Sequence, residues 1–192
     1  SANPQQLWFR FPEKKTLRTV VGQGEILNLT LYPNGWEHPD YSDSHWCKPK
    51  LLGQGIPYGK FGDWEWMLVP STIPFMEHKL QRLSSIRKAE NITVRPQFLK
   101  GESPVYIPAN QRVKILVDQA FLTTAYPELV VSGGKGATIT LGYAEALEDE
   151  NGTKGNRNEI AGKTVNSDCL DSFILDGPSN IHLKTLWFRT FR

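Results

Sequence analysis

The strongest constraint on this chain is a period of two. Across residues 137–192, large apolar residues alternate with polar or small ones in three bursts: Thr138-Ile139-Thr140-Leu141-Gly142-Tyr143, Asp171-Ser172-Phe173-Ile174-Leu175 and Leu186-Trp187-Phe188-Arg189-Thr190-Phe191-Arg192. Successive side chains of a strand point to opposite faces, so this pattern suits strands with one buried face. Between the first two bursts, residues 148–163 are rich in Gly, Asn and charge, and hold too little apolar surface for a core. That loop is expected at the surface or against a partner.

The same period recurs upstream. Residues 7–11, 17–21, 25–32 (with Leu27, Leu29 and Leu31 in phase), 64–69, 113–117 and 129–131 read as strands, with 104–107 a further short extended run. Pro33-Asn34-Gly35 and Pro108-Ala109-Asn110-Gln111 carry turn chemistry between them. Ser132-Gly133-Gly134-Lys135-Gly136 lacks the spacing of a phosphate-binding loop and precedes a strand, so a hairpin turn between Val131 and Ala137 is expected. Residues 75–86 are ambiguous. Met76, Leu80 and Leu83 are spaced like a helix face, but strands on both sides favour a strand. Turns every eight to twelve residues with almost no amphipathic helix predict an all-β fold, an antiparallel β-sandwich of jelly-roll or concanavalin-like type with little helix. One domain over residues 1–192 is expected, with a long loop at 36–62 as its only candidate seam.

The 192 residues can bury a sizeable core. Twenty-two basic and twenty acidic side chains leave a net charge of +2, which argues against nucleic acid or an anionic membrane as main partner. No apolar run is long enough to span a bilayer, and no secretory signal is visible; Ser1-Ala2-Asn3-Pro4 reads as a processed or engineered end. Cys47 and Cys169 belong to no C-x-x-C pair. Two buried free thiols are the first reading; a single disulfide is the alternative.

The loop at 36–62 concentrates aromatics. Trp36, Tyr41, Trp46 and Tyr58 lie in it, and Trp64 and Trp66 follow. Such side chains pin an irregular excursion onto a sheet, or they form a platform on which the C–H faces of a sugar stack. Exposed Trp would favour the platform, and buried Trp the pinning. His38, Asp40, Asp43 and His45 match no ligand spacing, so neither a metal nor another cofactor is expected.

The order Thr138-Ile139-Thr140-Leu141-Gly142-Tyr143-Ala144-Glu145-Ala146-Leu147, then Arg157, then Asp171-Ser172-Phe173-Ile174-Leu175-Asp176-Gly177, then Trp187-Phe188-Arg189-Thr190-Phe191-Arg192 resembles the concanavalin-like β-sandwich domain of bacterial α-L-rhamnosidases. Trp66-Met67-Leu68-Val69-Pro70-Ser71-Thr72-Ile73-Pro74-Phe75-Met76-Glu77 resembles the segment preceding that domain. Ser71 stands where the family often has Arg, and Phe173 where it often has Tyr.

The resemblance implies an accessory, non-catalytic domain of a glycoside hydrolase acting on rhamnose-containing glycans. The catalytic carboxylates of such enzymes sit on an (α/α)6 barrel that follows the sandwich, and this chain stops before one begins. No catalytic residue is therefore expected here. Glu145 and Glu148 are the carboxylates to weigh; Glu145 reads as a structural ion-pair partner of Arg157 or Arg189, and Arg189 and Arg192 as groups that stack on aromatics or bind carboxylates. Lys154, Asn156, Arg157 and Asn158 form either a solvated hairpin tip or a contact with the barrel. The expected partners are the barrel of the parent chain and a rhamnose-containing oligosaccharide, with no membrane insertion. The family's habits imply a periplasmic or cell-surface bacterial location, with a cytoplasmic one as the lesser alternative. A free-standing carbohydrate-binding module and a self-sufficient β-sandwich glycosidase or lyase are the competing classes.

Overall fold

A computed structural model describes residues 9–10, 24–53, 55–56, 66–67, 69–166 and 170–192. It shows an all-β protein, as its alternation predicts. The chain forms two compact units, one from Ser1–Tyr32 with Arg82–Arg192 and the other from Pro33–Gln81.

The larger unit contains a four-stranded sheet in the order β1 (Phe9–Arg10), β2 (Ile26–Asn28), β10 (Leu170–Ile174) and β9 (Thr138–Gly142). Strand β10 runs parallel to β2, with Phe173 opposite Leu27, and antiparallel to β9, with Phe173 opposite Ile139. Three two-stranded ladders accompany it: β11 (Gly177–Lys184) with β8 (Glu128–Gly133), β12 (Arg189–Phe191) with β7 (Thr123–Ala125), and β5 (Ser85–Glu90) with β6 (Lys114–Asp118). The buried cluster of Leu29, Phe173, Leu175 and Leu183 draws packing from Leu27, Ile139 and Leu141 of the large sheet and from Leu129, Val131 and Ile181 of the β8–β11 pair. Apolar residues of the two sheets thus meet in one core, where side chains alternating along β8, β9 and β10 deliver their inward face.

Several expectations change at this level. Strand β2 stops at Asn28, because the Asn28 side chain caps the following 3₁₀ turn (Leu29–Leu31) by accepting from the Thr30 N–H at 3.1 Å. The turn after β8 is not a hairpin: β8 pairs with β11 and β9 with β10, so Gly133, Gly134 and Gly136, all at φ near +70 to +78°, carry the chain between sheets. Residues 75–84 form no strand and no helix, and the strand begins only at Ser85. Residues 104–107 likewise form no strand, with Tyr106 exposed. The one α-helical turn of the described residues, α1 (Gln97–Lys100), ends on Gly101 in the left-handed conformation. The expected strand at 17–21, residues 7, 8 and 11 of that at 7–11 and residues 64, 65 and 68 of that at 64–69 fall outside the described residues.

In the smaller unit the backbone makes successive turns, with the N–H groups of Trp36, His38, Tyr41 and Trp46 bonded to carbonyls three residues back. A short parallel pair joins β3 (Gly55–Ile56) to β4 (Trp66–Met67). Residues 69–81 then run without secondary structure, all exposed. Cys47 is a free, exposed thiol, which corrects the expectation of a buried one; Cys169 lies outside the described residues. Among the described residues no helix is long and apolar enough to cross a membrane.

Phe173 and Leu183 are each 1% exposed at the centre of this core. Truncation there is expected to cost about 3–5 kcal/mol for Phe173→Ala and about 2–5 kcal/mol for Leu183→Ala. Urea unfolding would measure both, and Val130→Ala, at an exposed position on β8, should stay within about 0.5 kcal/mol of the parent.

Candidate functional site

Two polar assemblies stand out in the larger unit. The first is buried. Asp171 on β10 is fully enclosed, and Glu25, Arg189 and Tyr143 around it are nearly so. Arg189 forks onto Asp171, donating from Nε to Oδ2 at 2.9 Å and from Nη2 to Oδ1 at 2.6 Å, and Nη2 also reaches Glu25 Oε1 at 3.1 Å. Asp171 Oδ1 accepts the Glu25 backbone N–H at 2.8 Å. Glu25 in turn accepts the N–H groups of Leu186 at 2.9 Å and Trp187 at 3.2 Å. The Arg189 guanidinium lies 5.9 Å from the centre of the Tyr143 ring.

This geometry makes a clamp. Both carboxylates are engaged by a guanidinium and by backbone donors, the arrangement that lets charge exist in a low-dielectric interior. Burial pushes the Glu25 carboxyl above the ordinary range, reinforced by the Asp171 charge and opposed by the Leu186 N–H and by Arg189. Burial, then the Asp171 charge, also push the Tyr143 hydroxyl upward, so it keeps its proton. Arg189 binds carboxylates and faces an aromatic ring, as expected of it, but its partners are Asp171 and Glu25 and not Glu145. The signal was present: Asp171 is a charge opening an apolar run, and Glu25 stands immediately before another.

The second assembly is a cleft of about 60 Å³. Its charged lining comes from Arg87 on β5, Asp118 on β6, Glu145 after β9, Arg157 in the loop and Arg192 after β12. Asp118 accepts from Arg87 Nη1 at 2.7 Å and from the Ala120 N–H at 2.8 Å, and Arg192 Nε lies 3.3 Å from it. Burial alone would raise the Asp118 pKa, but the Ala120 N–H and the two guanidiniums hold it below the ordinary carboxylate value. Arg87 also donates to the Asn158 carbonyl at 2.9 Å, and Arg192 to Asn158 Oδ1 at 2.7 Å. Gly142 allows this close construction: a Cβ there would lie 2.9 Å from Leu170 and 3.1 Å from Val165.

The predicted residues therefore part company. Asn158 is clamped to the sheet by two arginines, while Arg157 beside it lines the cleft and, among the described residues, makes no hydrogen bond or ion pair. Lys154 and Asn156 are exposed and serve the loop itself: the Lys154 carbonyl accepts from Lys163 Nζ, and Asn156 Oδ1 accepts the Asn158 N–H. With Glu148 bridged antiparallel to Thr164 at its base, the loop is a self-bonded excursion whose residues 150–159 are exposed. The expected pairing of Glu145 with Arg157 or Arg189 does not form.

In the smaller unit, Trp36 and Trp46 are 49% and 45% exposed, and Tyr41 stacks on Trp46 with ring centres 5.7 Å apart and planes tilted by 57°. Tyr58 and Trp64 lie outside the described residues, as does the side chain of Trp66. Among the described residues, no three or more His, Cys, Asp or Glu gather as a metal site. Sequence reasoning missed a further aromatic group in the larger unit. There Trp187, 48% exposed, packs on Phe188 at 5.1 Å, and Phe188 meets Tyr126 edge-on at 6.2 Å.

Arg189→Leu leaves Asp171 and Glu25 without their cation in the interior, and a loss of about 3–5 kcal/mol is expected by urea unfolding. Tyr143 sets an alkaline slope. Its folded pKa is raised, so its contribution is intact below the ordinary tyrosine value and is lost as pH rises above about 10. The loss approaches about 1.4 kcal/mol per pH unit, and Tyr143→Phe should remove that increment when unfolding is compared at pH 10 and pH 11. Compared with protein-family models, curated proteins and solved structures, the chain matches none.

Proposed function

We propose that this chain is an accessory β-domain of an α-L-rhamnosidase-type glycoside hydrolase, a β-sandwich that sits beside a catalytic (α/α)6 barrel and assists recognition of rhamnose-containing glycans. The observation that carries this reading is the run at residues 69–81. Among the described residues it has no partner strand, and Ile73, Phe75, Met76 and Leu80 are 76–100% exposed. Covering each such side chain is worth about 1.5–3 kcal/mol, and contiguous exposed apolar surface of this kind marks an interaction site. The run overlaps the segment at 66–77 whose sequence resembles the rhamnosidase pattern. Two of the residues that carry the resemblance, Asp171 and Arg189, are framework groups locked to each other, which agrees with a supporting role. A periplasmic or cell-surface site of action goes with this assignment.

The exposure of Trp36 and Trp46 favours a second reading, a free-standing carbohydrate-binding module, since half-exposed indoles offer sugar-stacking faces.

The test is hydrolysis of an aryl α-L-rhamnoside by the longest native protein that carries this chain, beside residues 1–192 alone. Activity in the longer protein, with none in the shorter, is the expected result. Phe75→Ser with Met76→Ser should lower the melting temperature of the longer protein by several degrees and leave that of residues 1–192 within about one degree, as exposed positions do. A longer protein inert on the rhamnoside would overturn the rhamnosidase assignment. Saturable quenching of tryptophan fluorescence by L-rhamnose in residues 1–192, lost in Trp36→Ala or Trp46→Ala, would establish the binding module instead.

A further inference from the structure

The arginine-lined cleft has no part in the accessory-domain reading. Of its three arginines, Arg87 and Arg192 are committed to Asp118 and Asn158. Arg157 is not: among the described residues it makes no hydrogen bond or ion pair, although it lines the same cleft. Among the described residues Glu145 is equally uncommitted. A guanidinium presents five N–H donors in a planar fork that matches a carboxylate, so a free one at a cleft already bordered by two fixed arginines is a ready carboxylate clamp.

Charge and size narrow the ligand. Three arginines against Asp118 and Glu145 leave a formal charge of +1 in the lining, enough for one monoanion and poorly matched to a dianion. The cleft measures about 60 Å³, where a water molecule needs about 10–15 Å³. That is room for roughly five heavy atoms, a carboxylate and one hydroxylated carbon, with the rest of the ligand left in the open mouth. Leu116, Leu147, Ile160 and Val165 supply apolar lining. Glu145, an acceptor when ionised, suits a ligand hydroxyl.

We propose that this cleft binds a small hydroxycarboxylate, with Arg157 clamping the carboxylate, Arg87 and Arg192 fixing the positive field behind it, and Glu145 accepting from the neighbouring hydroxyl. The inference rests on the cleft alone and stands whether or not the parent protein is a rhamnosidase.

Calorimetric titration of residues 1–192 with D-gluconate, and with sorbitol as its neutral counterpart, tests it at low salt, with inorganic phosphate as a third probe. Gluconate should bind at least about tenfold tighter than sorbitol, the discrimination one charge-assisted bidentate contact gives. Phosphate should be weaker than gluconate. Arg157→Ala should lose that tenfold, Arg157→Lys should retain part of it, and both should melt with the parent because Arg157 holds no other group. Binding should also weaken as salt rises. Equal affinity for gluconate and sorbitol would sink the proposal, as would undiminished binding in Arg157→Ala. Phosphate binding as tight as gluconate would reduce the cleft to a general anion site and overturn it too.

Discussion

Everything in the larger unit hangs on one guanidinium. Arg189 forks onto Asp171 and touches Glu25, and through them β12 is tied to β10, to the approach of β2 and to the backbone at Leu186 and Trp187. Two buried carboxylates around one cation leave an excess negative charge, which the backbone N–H groups and the upward pull on Glu25 absorb. Such a cluster adds little net stability compared with an apolar filling, but deleting Arg189 strands both carboxylates. Its bonds are directional, and they tie together segments that lie far apart in the sequence.

The same logic is repeated at the surface. Asp118 gathers Arg87 and Arg192, and those two arginines hold Asn158 from the loop. One carboxylate thus organises β5, β6, the residue after β12 and the loop's centre. The loop holds its shape through its own bonds and through this clamp, while Arg157 is left free to face the cleft. Holding a charged group on a braced loop beside a rigid sheet is a common way for β-proteins to build a binding site.

Sequence alternation revealed the strands that are regular and half-buried: β6, β8, β9, β10 and β12. It missed those whose period is broken. β5 slips register between Ile86 and Lys88, and β11 opens with Gly177-Pro178-Ser179-Asn180, residues of turn type, before its ladder resumes at Ile181. Pairing was less legible still. Nothing local in Ser132-Gly133-Gly134-Lys135-Gly136 says that β8 and β9 join different sheets, because that choice is made by Leu175 and Leu183 packing from afar. At the site, the chemistry of Arg189 could be read but its partner could not: Glu145 and Asp171 are both carboxylates near strands, and only the facing direction distinguishes them. The cleft, assembled from five separated segments, left no linear trace.

The clamp also imposes an order of events on the chain's biogenesis. Glu25 and Arg189 are 164 positions apart, and Glu25 and Asp171 are separated by 146. The approach to β2 cannot satisfy its carboxylate until β12 has been synthesised and has left the ribosome, so the large sheet closes only after nearly all of residues 1–192 are available. Contacts of such long separation make folding slow. During that wait the apolar faces of β2, β9 and β10 are open to other chains, the condition under which incompletely folded proteins aggregate.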